Sequence, residues 1–380
     1  MIHKLFLISI FLILFFSNKS YSAESQSDAK LQKGIEYIYN IQFDSANVIF
    51  NEMTSTNPND PAGWFFKMLV EWWKINLNKD DESNDEIFLN SVDKVIEITD
   101  RILEKNENDY TALFYRGGAI GYRGLVRSLR ESWFKAAEDG KDALNLFTKA
   151  SELNTNNKDI LFGIGLYNYF AEYVPEKYPF LKPLMIIFPN GDKAKGLFQI
   201  TDAADNSKLA KYEARGILSY LYITYENNFF ESEKNAKILI EKFPNNPVFE
   251  KYLFKSYIGL GRWIEALNGW KKVLEKADSN KAGYNNDYTR REANYYIAVT
   301  LFSMRNELEA ERYLLKSEEL SNKIGGSAAY LAQIYLMEGM LADKKGDRTS
   351  AIYNYDRVLA MENFSNTHRD ATAFKNSPYR

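Results

Sequence analysis

Two histidines and no cysteine occur in 380 residues, and that shortage limits the chemistry the chain can perform. His3 lies in an apolar leader and His368 near the end. A Ser-His-Asp or Cys-His arrangement therefore lacks its base or its nucleophile, and a zinc site lacks its usual ligands. Carboxylate pairs such as Glu309 and Glu311 are scattered along helical patterns, with nothing to divide them into acid and base. Gly117, Gly118, Gly121 and Gly124 have the density of a phosphate loop. They follow no strand and lead to no Gly-Lys-Ser/Thr, so close helix packing explains them better. No cofactor, metal or catalytic residue is expected. One charged pattern stands out: Arg116, Arg123, Arg127 and Arg130 fall along one stripe of a helix. They could hold an anionic group, since guanidinium pairs bidentately with carboxylate or phosphate. They could equally pair with Glu131, Glu138, Asp139 or Asp142.

The positioning elements are plainest in Asn246 to Lys276, NPVFEKYLFKSYIGLGRWIEALNGWKKVLEK. Leu253, Phe254 and Tyr257 recur at helical spacing before the turn Gly259-Leu260-Gly261, and Ala266, Trp270 and Val273 after it. Pro244 ends the preceding helix, because proline disfavours helical geometry in the residue before it. This pattern resembles the tetratricopeptide repeat (TPR), a helix-turn-helix unit of about 34 residues. Ala266 and Trp270 match the small and large positions of its second helix, whereas Phe254 and Val273 stand where the pattern has small residues. Ser27 to Asp60 matches best, with Gly34, Tyr37, Ala46, Phe50 and Pro58 in place and Asp44 as the expected cap of the second helix. The corner Asn57-Pro58-Asn59-Asp60 is echoed at Asn106 and again at Asn154, so units two to four carry roughly 14 to 19 extra residues each. Their paired faces are Trp64 with Val95, Thr99 and Ile102; Leu113 and Gly117 with Ala143, Phe147 and Ala150; and Leu161 and Gly165 with Gly196, Ile200 and Ala203. Unit five has Ser232, Ala236 and Leu239; after a polar linker from Asp278 to Arg290, unit seven has Ala298, Ala310, Leu314 and Ser317, and unit eight Gly339, Gly346, Ala351, Tyr355 and Val358.

The resemblance implies an all-α, right-handed α-solenoid of about eight TPR-like hairpins, with elongated hairpins in units two to four. Residues 110–205, including YRGGAIGYRG and FPNGDKAKGLF, are also similar to eukaryotic helical-repeat proteins of lipid-droplet and inclusion clearance at mitochondrial membranes. In a TPR superhelix the first helices line the concave side. Carried over, that places Phe65, Trp72, Trp73, Phe114, Tyr122, Phe162, Tyr169, Phe170, Tyr225, Tyr295 and Phe302 in an aromatic groove as partner-binding candidates. Leu69, Leu166, Ile217, Leu221 and Val299 flank them. The same rings would otherwise fill the interior. The Lys/Asn clamp of TPRs that hold acidic chaperone tails is missing, so peptides bound that way are not expected. Tyr173 to Pro189 is apolar with four prolines, expected to pack against the array, with contact to a membrane or a protein partner as the alternative.

The start of the chain reads as a secretory signal peptide: Lys4, the apolar run Leu5 to Phe16, and a cleavage site after Ser22. Twelve apolar residues are too few to span a bilayer, which needs about 20. Losing residues 1–22 removes Lys4 and Lys19 and no acid, so the net charge of −3 becomes −5. That balance argues against nucleic acid as a partner. The 25 Phe and 26 Tyr are spread evenly and no linker divides the chain. One array over 23–362 with a tail or cap at 363–380 is expected. The function expected is an exported, non-enzymatic scaffold, periplasmic or secreted, that binds an envelope protein or peptide; the alternative is a module for a small apolar, lipid-like or sugar ligand.

Overall fold

A computed structural model describes residues 28–182, 188–325 and 328–380; the leader, residues 1–22, lies outside them. Among the described residues there is no strand. The helices are α1 (residues 28–39), α2 (Phe43–Thr56), α3 (Pro61–Leu77), α4 (Asp85–Leu103), α5 (Tyr110–Leu129), α6 (Trp133–Leu153), α7 (Asp159–Lys177) and α8 (Lys193–Asn206). They continue with α9 (Lys211–Thr224), α10 (Phe229–Lys242), α11 (Pro247–Gly259), α12 (Trp263–Asp278), α13 (Asp287–Ser303) and α14 (Glu307–Ile324). The last three are α15 (Ala328–Lys344), α16 (Arg348–Leu359) and α17 (Thr367–Asn376). The chain divides into two compact units, one holding the residues up to Ile75 with Ser83–Ala214, the other Asn76–Glu82 with Arg215–Arg380. From α4 to α8 in the first, and from α10 to α17 in the second, each helix packs on its successor.

The helices pair as hairpins, and their pairing rule is a small residue against a ring. A Cβ on Gly34 would lie 2.6 Å from Phe50, and one on Gly117 3.1 Å from Phe147; Gly339 meets Tyr355 in the same way. In the α11–α12 hairpin the sizes are exchanged: Phe254 occupies the small position, and Gly269 across the turn makes room for it. The departure seen in the sequence is thus compensated one residue before Trp270. At α7–α8 the two backbones themselves meet, since a Cβ on Gly196 would lie 2.7 Å from the Gly165 carbonyl.

The turns repeat as well. Ile41, Glu131, Asn227, Gly261, Arg305 and Gly346 each adopt a left-handed conformation, with φ between 51° and 78°. In five of the six, the next N–H reaches back to the carbonyl five residues earlier, as Arg262 does to Tyr257 (2.8 Å) and Asn306 to Leu301 (2.9 Å). This closes the first helix as a Schellman motif. Corner residues then cap the next first helix: Asp109 accepts from the Ala112 N–H at 2.9 Å, and Asn246 from that of Val248 at 3.0 Å.

Several expectations change. Asp44 does not cap α2; Gln42 holds that position without a side-chain bond, and Asp44 sits in the first turn, where a carboxylate favours the helix dipole. The polar linker is shorter than read, because Asp287 already opens α13. The extra length of units two and three is mostly helix, α3 and α4 running 17 and 19 residues and α5 and α6 20 and 21. In unit four α7 runs straight through Pro175, followed by a short turn at Pro179–Leu181. Residues 183–187 of this insertion lie outside the described residues; on either side Leu181 and Phe188 are buried, and the Tyr167 hydroxyl donates to the Pro189 carbonyl at 2.9 Å. The tail forms α17 against α15 and α16, with Arg348 donating to the Phe374 carbonyl at 2.9 Å.

Arg305 is exposed and adopts φ 61°, a conformation that carries a steric penalty for any residue with a Cβ. Arg305→Gly is expected to raise stability by about 0.5–1 kcal/mol in urea unfolding, the relieved strain exceeding the added chain entropy.

Candidate functional site

In the second unit the first helices of successive hairpins present one face to a common cavity of about 380 Å³. Tyr220 and Thr224 come from α9, and Lys251, Tyr252 and Lys255 from α11. Helix α13 supplies Tyr288, Arg291, Glu292 and Tyr296, and α15 supplies Tyr330. The spacings of three, four and eight put each set on a single stripe. The segment Asn76–Asp80 closes one side. Cations sit over the rings: Lys79 lies 4.0 Å from the Tyr220 centroid and Arg291 4.1 Å from that of Tyr330. Tyr296 is held by stacking on Trp270, centroids 4.6 Å apart.

The charges are unevenly matched. Lys251 and Lys255 share one carboxylate, Glu292, at 3.0 and 2.6 Å. Arg291 pairs through Nη2 with Asp80 at 2.6 Å. Arg291 is only 3% exposed, yet its Nε and Nη1 have no acceptor, and the Asn78 side-chain oxygen has no donor. Burial by itself would raise the Glu292 carboxyl, but Lys251 and Lys255 hold it well below the usual carboxylate range. Burial would lower Lys255, but Glu292 keeps it above the ordinary lysine value. Both therefore stay ionised near neutrality, so this pair fixes charge instead of exchanging protons.

The aromatic residues expected to line an open groove mostly form interior. Phe65, Trp72, Trp73, Tyr122, Phe162, Tyr169, Tyr295 and Phe302 are buried, whereas Phe114, Phe170 and Tyr225 keep partial exposure. Three of them serve a single buried carboxylate. Glu213 accepts from the indole N–H of Trp72 at 3.0 Å and of Trp73 at 3.1 Å, and from the Tyr39 hydroxyl at 3.2 Å; Tyr122 also hydrogen-bonds it. Burial pushes the Glu213 carboxyl up, against the four donors, which pull it down. On α13 the expected inner face, Tyr295 and Phe302, is one position out of register; Tyr288, Glu292 and Tyr296 face the cavity. The recurrence of Tyr, Lys and Arg at i, i+3 and i+4 on α11 and α13 was the signal for it.

The arginine stripe does not await an anion. Arg123 and Arg127 both bind Asp139 at 2.7 Å, Arg130 binds Asp85 at 2.6 Å, and Arg116 pairs with Asp100. Asp85 and Asp100 come from α4, beyond the reach of the spacing within α5 and α6. Among the described residues no cluster of three or more His, Cys, Asp or Glu could hold a metal, and no helix is long and apolar enough to cross a membrane.

No family model matches the chain, and no curated protein matches its sequence. Solved structures resemble it in fold. A tetratricopeptide repeat protein from Parabacteroides merdae is 11% identical, with TM-score 0.46 over 83% of this chain and 99% of that one. Rap protein in complex with competence and sporulation factor is 13% identical, TM-score 0.38, covering 94% and 80%. The human IFIT1 dimer with m7Gppp-AAAA is 12% identical, TM-score 0.48, covering 92% and 84%.

Glu213→Leu leaves buried indole and phenol donors without an acceptor and is expected to lower stability by about 3 kcal/mol. Glu213→Gln separates charge from hydrogen bonding. The native carboxyl titrates above its unfolded value of about 4.3, so ionisation works against the fold. The stability of the unaltered protein relative to the Gln variant therefore falls as pH rises through that window and levels off above the native value. Urea unfolding from pH 4 to 8 reads the difference.

Proposed function

We propose that the protein is an exported, non-enzymatic helical-repeat scaffold whose recognition face is the row of first-helix side chains in its second unit. Its occupant is a segment of another envelope protein. One observation carries the reading: four first helices aim half-buried tyrosines and charged groups at one shared cavity, where interior packing alone would have placed aliphatic residues. Tyrosine supplies large contact area with a polar tip and little rotamer freedom to lose, which suits a surface that is empty part of the time. The four cations at the cavity disfavour a purely apolar or lipid-like occupant. The net charge of −3 disfavours nucleic acid.

Tyr220 and Tyr252 lie 6.3 Å apart across this face. With both changed to Ala, the protein should melt within a few degrees of the unaltered chain but lose its cross-linked partner from envelope extract. Retention of that partner by the double variant would overturn the reading. Export makes a separate prediction. The mature protein recovered from the periplasm or medium should begin at Ala23, as N-terminal mass spectrometry would register, whereas an intact Met1 in the cytosol would contradict it.

A further inference from the structure

We propose that the second-unit cavity contains an oxyanion subsite, which takes a carboxylate or phosphate borne on a flat ring. Arg291 carries the argument. Its guanidinium is almost fully buried, one nitrogen is paired with Asp80, and the other two have no acceptor. A buried, charged donor left unsatisfied is among the more expensive features a fold can retain. Charge balance points the same way. Lys251, Lys255 and Arg291 face two carboxylates, Asp80 and Glu292, which they share. Water could fill a hydrogen-bond vacancy but would leave the excess of positive charge standing, whereas an anion answers both.

The body attached to that anion is indicated by its surroundings. Tyr330 stacks under Arg291, and Tyr220 lies under Lys79, so planar faces flank the cations on two sides. The Asn78 oxygen, an acceptor without a donor, suits a hydroxyl or amide N–H on the ligand. A volume of about 380 Å³ lies at the small end of the range for organic ligands, enough for one ring and its charged substituent. The charged group has two sources: a free small molecule, or an acidic side chain in the bound segment of a partner. In the second form the subsite rests on the scaffold reading above.

Calorimetric titration of the full chain tests it with four probes: inorganic phosphate, phenyl phosphate, benzyl alcohol and an acetylated, amidated tetraglutamate peptide. Phenyl phosphate should bind at least about tenfold more tightly than either inorganic phosphate or benzyl alcohol, and more weakly as salt rises. Lys79→Met, at a half-buried position, should weaken it about tenfold, and Arg291→Lys, which keeps the charge but loses the fork, should weaken it too. Equal binding of benzyl alcohol, no binding of any anion, or folded variants that bind as before would each overturn the subsite. Competition by tetraglutamate assigns the anion to a protein segment, and its failure beside tight phenyl phosphate assigns it to a free molecule; both uphold the subsite. Loss of all anion binding while partner capture still needs Tyr220 and Tyr252 would sink the subsite alone. Anion binding with unchanged partner capture by the tyrosine double variant would sink the scaffold reading alone.

Discussion

The close approach of two helices across each hairpin is the constraint from which the rest follows. Gly34 against Phe50, Gly117 against Phe147 and Gly339 against Tyr355 each let a ring enter where a Cβ would have stood. The left-handed residue in the turn sets how the second helix returns, and the Schellman bond behind it seals the end of the first. Each first helix is thereby committed on the faces that meet its own partner and its neighbours. What remains is a stripe at i, i+3 and i+4, and in the second unit those stripes line the cavity. A ring that breaks the size rule, Phe254, is tolerated only because Gly269 yields the space.

Two carboxylates, one buried and one half-buried, show how differently the units handle charge. Glu213 has neutral donors, two indoles and two phenols, and its carboxyl is pushed up by burial. Glu292 has two ammonium groups, and its carboxyl is held down. Hydrogen bonds from neutral groups only partly replace the lost water, whereas two cations overcome the desolvation. The first arrangement locks aromatic side chains into an interior. The second leaves a cavity in which Lys251, Lys255 and Arg291 share two carboxylates.

The helical hairpins could be read from the chain because they depend on local patterns. Ala266 and Trp270, Ala143 and Phe147, and Ala351 and Tyr355 each mark a second helix by spacing alone. Asn and Asp at the corners announce the caps. The site was less legible. Trp72, Trp73 and Tyr122 have the composition of binding anchors, and nothing nearby in sequence reveals Glu213, which lies 140 residues beyond Trp73. The arginines of α5 likewise found Asp85 and Asp100 on a preceding helix, while among the neighbours offered by spacing Asp139 takes both Arg123 and Arg127.

Sequence by itself therefore determined the helices, the hairpins and the scarcity of cysteine and histidine, because helix period, capping and composition are properties of short stretches. Only the tertiary structure decided which tyrosines are interior and which face the cavity, which arginines are paired, and that Arg291 keeps two nitrogens without acceptors. A turn of one residue around a helix moves a side chain by about 100°. The identity of its neighbours then depends on helices far away in the chain, and no local pattern carries that information.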